Sequence, residues 1–229
     1  MSPKAKRRAL FLGGFLLYFG VIWTLWDTVI IFPLKIFVVL LHEVSHGAAA
    51  VATGGTVERI LLDVHQGGAA YTRGGNGFII LSAGYLGSLL WGALFILLAF
   101  NRRLKPRWIL AVVGASVLLL TLFLVRSLFG FVFGILFAAG LMAGARYLSQ
   151  GVNRALLLGL GLTSALYAVL DIKSDILDRP HLSSDAAMLA EMTGVPTAVW
   201  GFLWIGIALL VCAWLLKWVA RRMESRPAP

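Results

Sequence analysis

The chain of 229 residues is divided into long blocks of apolar residues that are separated by short polar stretches. A helix rises 1.5 Å per residue, so about 20 consecutive apolar residues cross the roughly 30 Å hydrocarbon core of a bilayer. Seven blocks of this length can be placed, at about 9–31, 33–53, 77–100, 107–125, 127–145, 153–172 and 196–218. They predict an all-α polytopic membrane protein with about six to seven transmembrane helices.

Composition agrees with this interpretation, since 60% of the residues are hydrophobic and only 13% are charged. The formal net charge is +10, but Lys and Arg gather at the ends of the apolar blocks, where such residues set topology and contact lipid head groups. The lipid bilayer is therefore an expected partner, and nucleic acid is not. Clusters of four basic residues occur at the N-terminus, within 101–107 and at the C-terminus, so charge alone leaves the orientation open.

The second apolar block contains the sequence His42-Glu43-Val44-Ser45-His46. Two histidines one helical turn apart share a face and can bind one zinc ion. Glu43 projects about 100° further round the helix and can act as the general base for an attacking water. Three ionisable groups are costly to insert into an apolar span, which favours a functional zinc site over histidines that are merely satisfied by neighbours, or over a heme or proton-relay site.

A catalytic zinc site takes three protein ligands, so one more ligand is expected from elsewhere in the chain. Asp171 ends the apolar run 164–170, and the second and sixth blocks should run parallel, which would bring Asp171 to the depth of the histidines. Asp175, one turn later, and Asp185 are the alternatives. Asp185 has the sequence context of a helix N-cap. Two further histidines, His65 and His181, lie outside the apolar blocks.

Residues 54–76 have the pattern of a β-hairpin, with two short β-type runs separated by a Gly67-Gly68 turn. Alternation gives the first run an apolar face with Glu58, Ile60, Leu62 and Val64, and an opposite face with Val57, Arg59, Leu61, Asp63 and His65. The expected organisation is one membrane domain, 1–229, with a catalytic core at 33–172, the hairpin at 54–76 and a polar loop at 173–195.

The third block carries small residues at intervals of four, Gly84, Ser88 and Gly92. Small residues at this spacing allow two helices to approach closely within lipid. We therefore expect this face of the third helix to pack against another helix.

These residues resemble the site-2 protease family of intramembrane zinc metallopeptidases, and within it a short bacterial-type branch without added domains. The resemblance rests on His42-Glu43-x-x-His46, the exit Thr53-Gly54-Gly55 into a hairpin, the segment Ala83-Gly84-Tyr85-Leu86-Gly87 and a late Asp in an apolar helix. It covers most of the chain from about residue 33 onward. It implies an integral protein of a bacterial cell membrane.

In that family two His and one Asp bind Zn²⁺, the Glu activates water, and the hairpin helps to hold an unwound substrate helix. The resemblance thus implies that His42, His46 and Asp171 are the metal ligands and that Glu43 is catalytic. The residues expected to contact substrate on the hairpin are Val57, Arg59, Leu61 and Asp63. The family's Asp normally stands in a Leu-Asp-Gly motif, whereas Asp171 is followed here by Ile172.

The expected function is zinc-dependent hydrolysis of peptide bonds in transmembrane or membrane-anchored proteins. A substrate must arrive extended, and an edge of the hairpin could bind it as an added strand. The altered motif at Ile172 motivates an alternative, a zinc-binding scaffold or transporter-like protein without proteolytic activity. A membrane protein with a purely structural role and no metal is a further alternative.

Overall fold

A computed structural model describes residues 3–26, 28–65, 67–173 and 184–224. The elements are the helices α1 (Pro3–Leu25) and α2 (Phe32–Ala52), the strands β1 (Thr56–Leu62) and β2 (Gly68–Arg73), and the helices α3 (Gly77–Phe100), α4 (Pro106–Leu124), α5 (Leu128–Tyr147), α6 (Gln150–Lys173), α7 (Asp185–Thr193) and α8 (Thr197–Glu224). The predicted fold class, a helical membrane protein with one small hairpin, is confirmed.

Six helices in the described part of the chain are long and apolar enough to cross a membrane: α2, α3, α4, α5, α6 and α8. Five of them agree with the predicted blocks to within a few residues, and α8 runs further, to Glu224. In α1 the apolar part is the shorter stretch Leu12–Leu25. The first predicted span, 9–31, is interrupted because α1 ends at Leu25, where a turn closed by the Thr28 hydroxyl on the Leu25 carbonyl leads into α2.

Helix α2 lies at the centre of the bundle. About 67% of its membrane window is buried inside the protein, against 22% for α4 and for α8. The ring of Phe37 stacks on Phe137 at a centroid distance of 4.9 Å and on Phe95 at 6.3 Å, so α2 is covered from two sides. Because neighbouring helices rather than lipid surround α2, its polar side chains are shielded from hydrocarbon.

Helices α3 and α6 pack closely through glycines. A Cβ placed on Gly92 would lie 2.5 Å from the backbone nitrogen of Ala165, and one on Gly161 would lie 2.9 Å from that of Ile96. The Ser164 hydroxyl donates a hydrogen bond of 2.7 Å to the carbonyl of Ser88. The predicted packing face of α3 is confirmed at Ser88 and Gly92.

The predicted hairpin is present, with β1 antiparallel to β2 and Leu62 opposite Gly68. Ile60 and Leu62 are buried, so this part of the more apolar face of β1 turns towards the protein interior. The connection between α4 and α5 binds the outer edge of β1, where the Arg126 N–H donates to the Ile60 carbonyl at 3.0 Å. The Ser127 hydroxyl accepts a hydrogen bond from the Leu62 N–H and donates one to the Leu62 carbonyl. In the described part of the chain the sheet has two strands, so the outer edge of β2 has no neighbouring strand.

The predicted polar loop 173–195 contains a further helix, α7, which is only nine residues long. Its N-cap is Ser184, whose side chain accepts a hydrogen bond from the backbone N–H of Ala187, while Asp185 is the first helical residue. The prediction that Asp185 is the N-cap is therefore wrong, because the shorter Ser hydroxyl one position earlier fills that role. Asp175 and His181 lie outside the described residues.

Candidate metal centre

The site begins with His42 and His46, which α2 places one above the other on a buried face, with ring centroids 4.7 Å apart. The Nδ1 atom of His46 lies 2.7 Å from the carbonyl oxygen of Ile80 at the start of α3. A carbonyl can only accept, so Nδ1 of His46 carries the proton. In the neutral ring, Nε2 is then left with a lone pair for a metal.

Asp185 completes a group of three. Its Oδ2 atom lies 3.1 Å from Nε2 of His42 and 3.2 Å from Nε2 of His46. Within the described residues these three side chains form a group that could hold a metal ion, with ligand atoms within 4.8 Å of one another. Burial alone would raise the pKa of Asp185, but while the Nε2 atoms of both histidines carry protons, their hydrogen bonds and charges lower this pKa to about 2. The carboxylate is therefore in the ionised form that binds metals.

Asp171 lies near the end of α6, beside His42 but on another side of the ring. Its Oδ2 atom is 3.6 Å from Nδ1 of His42, the nitrogen that does not face Asp185. Asp171 does lie at the depth of His42, as its expected position in the sixth apolar block implied. The structure nevertheless places Asp185, and not Asp171, next to the Nε2 atoms of both histidines.

Helix α3 approaches the site through Gly84. A Cβ on Gly84 would lie 2.5 Å from Oδ2 of Asp185 and 2.5 Å from Cε1 of His42, so no other residue fits without displacing the site. The sequence pattern assigned Gly84 to helix packing alone and missed this role. Its position within a small-residue stripe hid the role, since nothing local distinguishes Gly84 from Gly92.

Glu43 lies next to the hairpin. The backbone N–H of Ala70 lies close to the Glu43 carboxylate. A Cβ on Gly68 would lie 2.6 Å from Oε1 of Glu43. The Asp63 N–H pairs with the Gly67 carbonyl, and alternation along the ladder then directs the backbone groups of Gly68, Ala70 and Thr72 outward. The outer edge of β2 thus runs past Glu43.

Both histidines, Glu43 and both aspartates line one cavity of about 460 Å³. Its wall also includes residues of β2, α3 and α6, among them Gly68, Ala70, Thr72, Ile80 and Tyr167. The four residues predicted to contact substrate do not line this cavity. Two of them are engaged elsewhere: Val57 packs on Gly47 of α2, and the Arg59 guanidinium lies 4.1 Å above the ring of Tyr71.

The donor set suits a transition metal. Two imidazole nitrogens and one carboxylate oxygen are ligands that zinc takes in catalytic sites, where three protein ligands leave one position open. The nearby Glu43 carboxylate faces the same cavity and lies outside the group of three. The site therefore has the composition expected of a metal centre that acts on a bound substrate.

A family model described as Peptidase M50B-like matches residues 15–215. That region includes α2, the hairpin, α3, α6 and α7, and therefore every residue of the metal group. No curated protein matches the chain, and no solved structure matches it.

Proposed function

Because the chain belongs to the Peptidase M50B-like family, a site-2 protease family of metallopeptidases, we propose that it is a zinc-dependent intramembrane endopeptidase. The observation that carries this proposal is the convergence of His42, His46 and Asp185 in a cavity that also contains Glu43 and the outer edge of β2. These parts belong to three separate segments of the chain, α2, β2 and α7, yet all of them line the same cavity.

The proposed zinc ligands are Nε2 of His42, Nε2 of His46 and the carboxylate of Asp185. The short distances from Oδ2 of Asp185 to both nitrogens support this choice over Asp171. With Asp185 in this role, Ile172 after Asp171 is no argument against activity, since the altered motif would then not carry a ligand. Ile172 is instead buried in an apolar cluster with Tyr85 and Trp204.

Zinc, when bound there, would polarise the scissile carbonyl and make water more acidic. Glu43 takes a proton from the attacking water and returns it to the leaving amine, as a general base and then a general acid. The strand β2 lies against the Glu43 carboxylate, since a Cβ on Gly68 would be 2.6 Å from its Oε1. Burial of Glu43 keeps bulk water from competing for this carboxylate.

The substrate would be a stretch of a transmembrane or membrane-anchored protein that has lost its helical hydrogen bonds. Such a strand can pair with an open sheet edge, which gives affinity through the backbone and little dependence on sequence. The edge available here is that of β2, since the α4–α5 connection binds the other edge of the hairpin. Gly68 and Ala70 keep this edge free of large side chains.

The test uses the purified full-length chain in detergent, its zinc content, and a peptide substrate containing an apolar helix interrupted by Gly and Pro. We expect about one zinc per chain in the wild type and in Glu43→Gln, with peptide cleavage only in the wild type. His46→Ala should show neither bound zinc nor peptide cleavage. Zinc in the wild type without cleavage of any unwound substrate would support the scaffold alternative instead.

A further inference from the structure

The two histidines of the metal group are held differently. Nδ1 of His46 donates to the Ile80 carbonyl at 2.7 Å. Nδ1 of His42 is one of three buried side-chain nitrogen and oxygen atoms that have no hydrogen-bond partner among the described residues. An imidazole that binds metal through Nε2 carries its proton on Nδ1, and a buried N–H without an acceptor is unfavourable.

One carboxylate oxygen lies next to this nitrogen. Oδ2 of Asp171 is 3.6 Å from Nδ1 of His42, slightly beyond the 2.7–3.2 Å range of a hydrogen bond. Both side chains are largely buried, with 10% of His42 and 15% of Asp171 exposed. The rings of Tyr85 and Tyr167 meet the His42 ring edge-on, at 5.5 Å and 6.2 Å, and limit where else an acceptor could approach.

We propose that Asp171 is a positioning residue: it accepts the Nδ1–H of His42, orients that ring towards the metal, and thereby strengthens a site whose third ligand is Asp185. This inference rests on the zinc site described above. Carboxylate–histidine–metal chains of this kind fix the tautomer and the ring orientation, and their loss lowers metal affinity by roughly 10- to 100-fold. The two aspartates would then have different tasks: Asp185 binds the metal and Asp171 orients His42.

Placement favours this role over direct ligation. A metal bound by Nε2 of His42 and Nε2 of His46 would be held on the side of the rings that Asp185 faces. Asp171 faces the opposite ring nitrogen of His42. A carboxylate there can orient the His42 ring, whereas the ring itself would lie between Asp171 and a metal bound at Nε2.

The experiment measures zinc affinity of the full-length chain by competition with a chromophoric chelator. Asp171→Ala should still bind about one zinc per chain, with affinity roughly 10- to 100-fold lower. Asp171→Asn, whose amide oxygen can also accept the N–H, should recover most of that loss. Asp185→Ala should lose stoichiometric zinc, and the exposed Glu191→Ala on the same helix α7 serves as the control.

A second readout is the visible absorption of Co²⁺ in the same variants, since these bands respond to ligand orientation. We expect altered bands in Asp171→Ala and wild-type bands in Glu191→Ala. Unchanged affinity and unchanged bands in Asp171→Ala would overturn the positioning role while leaving the proposed protease intact. Loss of stoichiometric zinc in Asp171→Ala, with zinc retained in Asp185→Ala, would overturn it by making Asp171 the ligand.

Discussion

Oδ2 of Asp185 lies 3.1 Å from Nε2 of His42, although 143 positions separate the two residues in the chain. The contact joins the central helix α2 to α7, a helix whose nine residues are too few to cross a bilayer. Buried Ala186 and Leu189 fix α7 against Tyr85 of α3 and Trp204 of α8. The candidate metal site therefore depends on the docking of the short helix α7 as much as on the motif of α2.

Because Asp185 is the first residue of α7, a weaker N-cap on this helix should lower the metal affinity. Ser184→Ala removes the side chain that accepts the Ala187 N–H, which typically destabilises a helix by about 1 kcal/mol. Because α7 carries Asp185, zinc affinity should fall several-fold, as measured by chelator competition. Ser184→Asp, which keeps an acceptor, should retain affinity close to that of the wild type. Equal affinities in all three proteins would show that the cap does not matter to the site.

The close approach of α3 predicts that Gly84→Ala abolishes metal binding. The added Cβ would lie 2.5 Å from Oδ2 of Asp185 and from Cε1 of His42, so the ligands must separate. Zinc content of the purified variant measures the effect. Gly140→Ala is the matched control, since a Cβ there meets no atom within 4 Å. Full zinc content in Gly84→Ala would contradict the close approach.

The contact between β2 and Glu43 predicts a different effect for Gly68→Ala. Its Cβ would lie 2.6 Å from Oε1 of Glu43, which should displace the base but leave the three metal ligands in place. We expect peptide cleavage to fall by roughly 10²- to 10⁴-fold, the usual contribution of a general base, with normal zinc content. Gly67→Ala is the control and should lower peptide cleavage only slightly. Leaving out the two adjacent residues, the nearest atom to its Cβ would be Cβ of Asp63, at 3.9 Å.

If substrate binds along the outer edge of β2, removing one outward N–H of this strand should weaken substrate binding more than it slows the reaction. Thr72→Pro lacks the donor but, on the outer edge, leaves pairing with β1 possible. We expect KM for an unwound peptide to rise with a smaller change in kcat, while Thr72→Val, which keeps the N–H and a similar shape, behaves as the wild type. If Thr72→Pro and Thr72→Val had the same KM, the edge of β2 would not be the docking strand.

Local patterns predicted most of the architecture correctly. The length of each apolar block predicts a membrane-crossing helix, because the bilayer fixes the number of residues that a span requires. Gly-rich ends and alternating residues predict the hairpin, and the four-residue spacing of His42 and His46 predicts a shared face of α2. All these properties depend on neighbours within one or two helical turns or one strand.

The amino-acid sequence by itself thus determined the spans, the hairpin and the face that presents His42, Glu43 and His46. Only the tertiary structure decided that Asp185 joins both histidines while Asp171 faces Nδ1 of His42, and that β2 rather than β1 borders the cavity. The physical reason is that these relationships depend on distant segments. The docking of α7 sets the position of Asp185, and hydrogen bonds from Arg126 and Ser127 occupy one edge of the hairpin and leave the other to the site.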